Sequence, residues 1–292
     1  MKFAKNFGKV YNKIGYKKLT VLPLIFLILC LGFLFIHYQK TGEFFSKGID
    51  LRGGAQLTID TKQNVDAQGL ENHLKKVFGD VHVRTTVGVG KNNILIRTDE
   101  NVDKNKLLEE IENFGVDVSS HSFEKIGASL GESFFDQSRT ALIVAFIFMG
   151  FVVFFIFRSF VPSVAVIWCA FSDIICTIAV LQFLGMPLTL ASFAGLLLVL
   201  GYSIDTDVLL TTRLIKRREG SLKERCKNAF KTGITMTITS LVAFVSLYFL
   251  SGVTALMEIA SVLIIALLID IPNTWLTNLG ILRWWAEKRG IK

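Results

Sequence analysis

Six uninterrupted apolar runs constrain this 292-residue chain more than any other feature. They cover about residues 19–36, 141–157, 161–184, 188–210, 232–250 and 255–275, the last extending toward 281. A bilayer hydrocarbon core is about 30 Å thick and needs ~20 apolar residues as a helix, so each run predicts one membrane span. Charged residues make up only 19% of the chain and hydrophobic ones 51%, which excludes a disordered chain and argues against a purely soluble one. The predicted layout is a basic terminus at 1–18, a first span at 19–36 and a segment 37–138 outside the bilayer. Five spans follow over 139–281, with a basic loop at 212–230 and a tail at 282–292.

Charge orients these spans. Lys2, Lys5, Lys9, Lys13, Lys17 and Lys18 precede the first, and Arg158 separates the second from the third. Arg213, Lys216, Arg217, Arg218, Lys223, Arg225 and Lys227 lie between the fourth and fifth, and Arg283, Lys288, Arg289 and Lys292 follow the sixth. The alternate loops, Gly185-Met186-Pro187 and Ser251-Gly252, carry no charge. Positive loops stay cytoplasmic, so both termini are expected inside a cytoplasmic membrane and residues 37–138 outside. Trp275, Trp284 and Trp285 are expected at the inner interface. Residues 40–138 hold 12 Lys and Arg against 16 Asp and Glu, a net −4, so the rest of the chain carries +12 of the formal +8 total. The positive charge therefore reads as an orientation signal, not as a nucleic-acid surface. The first run lacks an Ala-x-Ala exit, so it reads as an uncleaved anchor. Cys30, Cys169, Cys176 and Cys226 and the scattered His37, His73, His82 and His121 form no disulfide framework or metal spacing.

Within the segment outside the bilayer, alternating apolar residues predict strands at 55–60, 81–87, 93–98 and 116–123, with Gly88-Val89-Gly90 as a turn. Helical periodicity predicts helices at 65–78 and 104–114. The order β-α-β-β-α-β is the ferredoxin-like arrangement of an α+β domain. No acid/base or nucleophile constellation stands out there, so a binding or lever role is expected, and the chain reads as non-enzymatic.

Chemistry enters through acids in the apolar runs. Asp173 lies in the third, Asp205 and Asp207 in the fourth, Asp270 in the sixth, and Glu258 near the outer end of the sixth. A charge at the bilayer centre costs about 3 kcal/mol or more, so such residues face protein or water and are functional candidates. Asp205 and Asp207, two residues apart, point to different helix faces. Asp205 shares its face with Gly201, where close helix approach is possible. Thr232, Thr235 and Thr239 form a stripe on the fifth span that would face Asp205 and carry water or a proton; alternatively these threonines are helix glue. Competing structural readings are a static ion pair of Asp205 or Asp207 with Arg213, and pairing of Asp270 with a cytosolic base.

Two motifs then resemble a known family. Gly48-Ile49-Asp50-Leu51-Arg52-Gly53-Gly54, after the first span, resembles the entry motif of the SecD/SecF protein-export family. Gly201-Tyr202-Ser203-Ile204-Asp205-Thr206-Asp207, followed by Arg213, resembles that family's fourth-span motif. The one-plus-five layout and the modest outer segment resemble its SecF-type branch, and Asp205-x-Asp207 resembles the archaeal form. Leu51-Arg52-Gly53-Gly54 is closer to the SecD-type half, which stays an alternative. The resemblance implies half of a resistance-nodulation-division (RND) arrangement, with a SecD half, a SecY-type translocation channel, unfolded secreted polypeptide and membrane lipid as partners. It implies no cofactor beyond a proton or sodium gradient. A relay of Asp205, Asp207, Asp173, Thr235, Thr239 and Arg213 would move the outer domain, with the principal carrier left open between Asp205 and Asp207. Rival functions are a small-molecule exporter, an intramembrane aspartyl protease and a passive scaffold.

Overall fold

The computed structural model describes residues 20–61, 63, 65–87, 92–216 and 220–290. The basic terminus at 1–18, the Gly88-Val89-Gly90 turn, Arg217, Arg218 and Lys292 lie outside the described residues. Among the described residues six helices are long and apolar enough to cross a bilayer. Lipid offers no hydrogen bonds to backbone groups, so runs of this length are stable there as helices, whose donors and acceptors pair internally. They are α1 (Val21–Thr41), α5 (Ala128–Phe157), α6 (Phe160–Phe183), α7 (Leu190–Ile215), α8 (Leu222–Leu250) and a sixth span in three pieces. That span comprises α9 (Thr254–Pro272), a π-helical turn (Asn273–Asn278) and α10 (Leu279–Lys288).

Between α1 and α5 lie the short helix α2 (Ile49–Arg52), β1 (Gly54–Thr61), α3 (Ala67–Phe78), β2 (Val81–Val87), β3 (Asn92–Thr98), α4 (Lys104–Asn113) and β4 (His121–Ile126). The sheet order is β2-β3-β1-β4 with every neighbouring pair antiparallel, the ferredoxin-like topology. Leu57 and Ile59 of β1 and Ile94 and Ile96 of β3 bury their side chains against Leu70 and Leu74 of α3 and Leu107 and Ile111 of α4. Asp66 and Asp103 cap α3 and α4 by accepting from the N–H of Gln68 and Asn105.

Four boundaries differ most from the sequence expectation. The expected loop at 212–230 is largely helical, since α7 runs to Ile215 and α8 starts at Leu222, where Ser221 and Glu224 form a capping box. The first span is shifted to Val21–Thr41 and ends at Gly42, whose φ of 77° suits a glycine stop. The helix of the second span begins at Ala128, so residues 128–138 are helical rather than part of the sheet domain. The last strand starts at His121 instead of 116, because Val116 and Val118 fill the domain core from the loop before it. Trp275, expected to face the inner interface, is instead enclosed by protein, 1% exposed and edge-on to Phe230 at 5.0 Å between ring centres. Gly233 on α8 leaves the room this indole occupies.

In the bundle, α6, α7 and α9 form the interior, while α1, α5 and α8 lie outside with large apolar side chains exposed. α1 packs Leu27, Cys30 and Leu34 against Cys176 and Ala179 of α6 and Ile269 of α9. The sheet domain is fastened to one end of the bundle at the Gly48–Gly54 motif. Gly48 caps α2 and donates its N–H to the Leu188 carbonyl at 2.6 Å, while Leu188 donates back to Ser46 at 2.9 Å. Leu51 is buried among Leu181, Leu188, Phe193 and Leu196. Gly53, at φ +84°, lies so close to α5 that a Cβ there would meet the Ala128 nitrogen at 2.7 Å; Gly127 beside it has open space. Gly53→Ala is therefore expected to destabilise by roughly 3 kcal/mol, combining backbone strain with overpacking. Gly127→Ala is expected to be near neutral. Thermal denaturation of both variants in detergent checks this, and equal midpoints would refute the clamp.

Candidate functional site

The interior of α6, α7 and α9 contains the most unusual chemistry in the molecule. Asp173 and Asp207 are 0% exposed and Asp270 is 1% exposed. They come from three different helices and meet through two hydroxyls. Ser203 on α7 places its Oγ 2.5 Å from Asp173 Oδ2 and 2.9 Å from Asp270 Oδ1. Thr274 of the π turn places its Oγ1 2.9 Å from both Asp207 Oδ1 and Asp270 Oδ1. Asn273 donates to Asp173 Oδ1 at 2.6 Å and Asn278 donates to Asp207 Oδ1 at 2.7 Å. The result is a continuous polar chain, Asn273–Asp173–Ser203–Asp270–Thr274–Asp207–Asn278, inside apolar helices.

Local sequence explains this assembly. On α7 the buried residues Ser203, Asp207, Leu210, Thr211 and Leu214 recur at helical spacing, which turns Asp207 inward. Asp205, 200° around the helix, is then turned outward. On the sixth span Pro272 has no N–H, so the regular ladder fails and the chain widens into the π turn. That turn carries Asn273, Thr274, Thr277 and Asn278, all buried.

No Lys, Arg or His forms an ion pair with these carboxylates among the described residues. The protons can be counted instead. Four oxygen–oxygen contacts join the three carboxyls to two hydroxyls, and each hydroxyl has one hydrogen to give. Closing all four as hydrogen bonds needs two more protons, and the carboxyls are the only other source in the chain. One consistent pattern places a proton on Asp173 and one on Asp207, with Asp270 accepting from both hydroxyls. Asp207 Oδ2, Asp270 Oδ2 and Asn278 Oδ1 remain without partners, so the chain has acceptor capacity in reserve. Chemically, such an arrangement can take up, hold and pass protons. Among the described residues no group of three or more His, Cys, Asp or Glu has the geometry of a metal site.

The structure thus brings together three of the sequence-derived candidates, Asp173, Asp207 and Asp270, the last of which the expected relay did not include. Asp270 does not pair with a base. Asp205 is exposed and makes no hydrogen bond or ion pair among the described residues. Thr235 and Thr239 are exposed as well, and their hydroxyls return to carbonyls of their own helix: Thr235 to Lys231 at 2.8 Å, Thr239 to Met236 at 2.8 Å. Arg213 donates to the Asn228 carbonyl at 2.8 Å and pairs with neither aspartate. None of these four side chains hydrogen-bonds to the buried aspartates. Ser203, Asn273, Thr274 and Asn278 escaped the sequence reading, although four polar residues directly after Pro272 in an apolar run were a visible signal.

A second cluster ties the sheet domain to the other end of the same helices. Arg97 of β3 pairs with Glu258 of α9 at 3.4 Å, and Thr189, the cap of α7, donates to Glu258 at 2.6 Å. Gln182 of α6 accepts the Ser46 N–H at 2.8 Å, and Arg84 of β2 donates to the Leu184 carbonyl, just past α6, at 2.7 Å. Burial lowers the pKa of Arg97, and Glu258 offsets part of that. Of the entry motif, Asp50 lies in the first turn of α2, Arg52 pairs with Asp80 at 3.3 Å, and Gly48, Gly53 and Gly54 provide the close approaches.

Infrared spectra at neutral pH check the proton count. Carboxylic-acid C=O absorption is expected in the wild type, reduced in Asp173→Asn and Asp207→Asn and unchanged in Asp205→Asn. Identical bands in all four proteins would contradict it.

Residues 106–288 match the family model described as protein export membrane protein SecD/SecF, C-terminal. A protein-export membrane protein SecF of Pyrococcus furiosus is 38% identical over 282 residues, covering 96% of this chain and 95% of its own. One of Methanocaldococcus jannaschii is 39% identical over 278 residues, covering 92% and 95%. Among solved structures, SecDF of Thermus thermophilus, described as a translocon-associated membrane protein, superposes with a TM-score of 0.74 at 19% identity. That match covers 92% of this chain and 38% of the longer one.

Proposed function

Because the chain belongs to the SecD/SecF family of protein-export membrane proteins, in its SecF-type branch, we propose that it couples proton movement through its buried aspartates to motion of the sheet domain. The observation that carries this reading is the Asp173–Asp270–Asp207 chain, three carboxyls on three interior helices with no cation paired to them among the described residues.

The three helices carrying the carboxyls also carry the attachments of the sheet domain. On α6, Asp173 is 11 residues before Leu184, about 16 Å along the axis. On α7, Asp207 is 18 residues after Thr189, about 27 Å; on α9, Asp270 is 12 residues after Glu258, about 18 Å. Loss of a proton at Asp173 or Asp207 leaves an oxygen contact without a hydrogen and sets two acceptors against each other. The helices relieve this by shifting, and the shift reaches Leu184, Thr189 and Glu258, where Arg84, Gly48 and Arg97 hold the domain. A rigid body fastened at three helix ends tilts when those ends move relative to one another.

In this reading both termini are cytoplasmic and the sheet domain lies outside, as the basic residues Arg213, Arg283, Lys288 and Arg289 at the opposite end support. The sheet domain would act on unfolded secreted polypeptide emerging from a SecY-type channel. A SecD-type half would cover the exposed stripe of α7 formed by Ala194, Leu198, Tyr202 and Asp205. Asp205 is 15 residues from Leu190, about 22 Å into the span, where a carboxylate facing lipid costs roughly 3 kcal/mol. A polar partner surface removes that cost.

The test is export of a secreted reporter with and without a proton gradient. Asp173→Asn and Asp207→Asn are each expected to reduce gradient-dependent export at least about tenfold, the size of effect typical for a positioned proton carrier. Thr235→Val and Thr239→Val are expected to leave it unchanged. Normal gradient-stimulated export by an Asp173→Asn/Asp207→Asn double variant would overturn the coupling while leaving family membership intact.

A further inference from the structure

A polar cavity of about 600 Å³ opens between the sheet domain and the bundle, beside the domain attachments made by Arg84 and Arg97, and the aspartate chain does not account for it. Its walls come from the end of α1, the 42–52 linker, β2, β3 and the loop after α6. Lys47, Arg52, Arg84 and Arg97 line it, together with His37 and His82. The acids in its wall are Glu43 and Glu71, and both are engaged: Glu43 pairs with Lys47 at 3.1 Å, and Glu71 pairs with Lys75 and accepts the Val83 N–H at 2.9 Å. Arg97 is held by Glu258 and Arg52 by Asp80. Arg84 is different. Its one hydrogen bond goes to a backbone carbonyl, that of Leu184, and no carboxylate is within ion-pair distance of it among the described residues. Burial lowers its pKa, and Glu258, beyond ion-pair distance, offsets part of that.

The position of Arg84 matters as much as its charge. Leu184 ends the apolar run of the third span, so Arg84 lies where hydrocarbon gives way to headgroups. Phe183 is 74% exposed and Leu184 49% exposed beside it, and Phe33 of α1 packs edge-on against Phe183 at 6.0 Å between ring centres. A continuous apolar wall thus leads directly to a basic cavity. We infer that this cavity holds the phosphate headgroup of an anionic membrane lipid, with the acyl chains lying along α1 and the end of α6. The guanidinium of Arg84 offers a planar fork that suits a phosphate, and Arg52 and Lys47 add charge at the rim. A pocket of this volume accommodates a phosphate-bearing headgroup. The lipid would fill the gap between domain and bilayer and so set how far the domain can tilt.

Native mass spectrometry of the full chain, released from phosphatidylcholine nanodiscs containing a minor fraction of phosphatidylglycerol, tests this. The wild type is expected to retain phosphatidylglycerol in preference to phosphatidylcholine. Arg84→Gln is expected to weaken retention about tenfold, the loss of one charge-assisted hydrogen bond, with Arg84→Lys intermediate. Arg52→Gln, a change at a half-exposed side chain, is expected to weaken it as well and decides the matter should Arg84→Gln fail to fold. Arg158→Gln, at the opposite end of the bundle, is expected to have no effect. Unchanged retention in Arg84→Gln, or in Arg52→Gln where that variant decides, would overturn the inference. Equal loss in Arg158→Gln would also overturn it, since attraction would then be unspecific. Displacement of the lipid by millimolar inorganic phosphate or by an acidic peptide would overturn it too, by showing a soluble-anion or polypeptide site.

Discussion

Burying a carboxylate among apolar helices costs several kcal/mol unless it is neutralised or well hydrogen-bonded, and this protein does so three times in one place. Many buried acids are neutralised by a basic partner. Here no such partner exists among the described residues, so the burden falls on Ser203, Thr274, Asn273, Asn278 and on protons themselves. The amides are fixed donors, whereas the two hydroxyls can give a hydrogen in either of two directions. That ambiguity is the useful property. A chain closed by hydroxyls can relocate a proton by rotating them, while a lysine or arginine in the same place would pin the charge.

The rest of the architecture follows from keeping that chain intact. Asn273, Thr274 and Asn278 come from one short stretch, and the π turn after Pro272 lets Trp275, Thr277 and Asn278 all face protein. Trp275 fills the space left by Gly233, so the widened turn is packed rather than hollow. At the other end, Gly48, Gly53 and Gly54 allow backbone to touch backbone, and side-chain play there is small. Helices of fixed rise and a junction with little slack make a stiff connection between the aspartates and the sheet domain.

The sequence made the membrane layout and the ferredoxin-like domain legible, because each rests on a period: about 20 apolar residues for a span, two for a strand, 3.6 for a helix. It also marked Asp173 and Asp207, since an acid in an apolar run is conspicuous whatever surrounds it. It did not reveal which of Asp205 and Asp207 faces inward, because that depends on the neighbours of α7, not on α7 alone. The polar cluster after Pro272 was missed for a related reason. Proline followed by Asn, Thr and Trp reads as a helix reaching the headgroup layer, and only tertiary packing places those residues inside. The threonines of α8 were over-read, since a hydroxyl bonded to its own helix carries no signal beyond that helix.

The two polar centres also explain why the outer helices look as they do. α6, α7 and α9 must stay in contact to hold the aspartates, so they are enclosed, and α1, α5 and α8 provide the enclosure. Lipid-facing apolar surface explains most of what α1 and α5 expose. It does not explain Asp205, a lone carboxylate on the exposed stripe of α7 with no internal partner. The cost of burying Asp173, Asp207 and Asp270 applies to Asp205 in a different form. Within one chain the buried acids are met by hydroxyls and amides, and the exposed one has no such partner among the described residues. The proposed second half, laid against α7, would supply that missing polar contact.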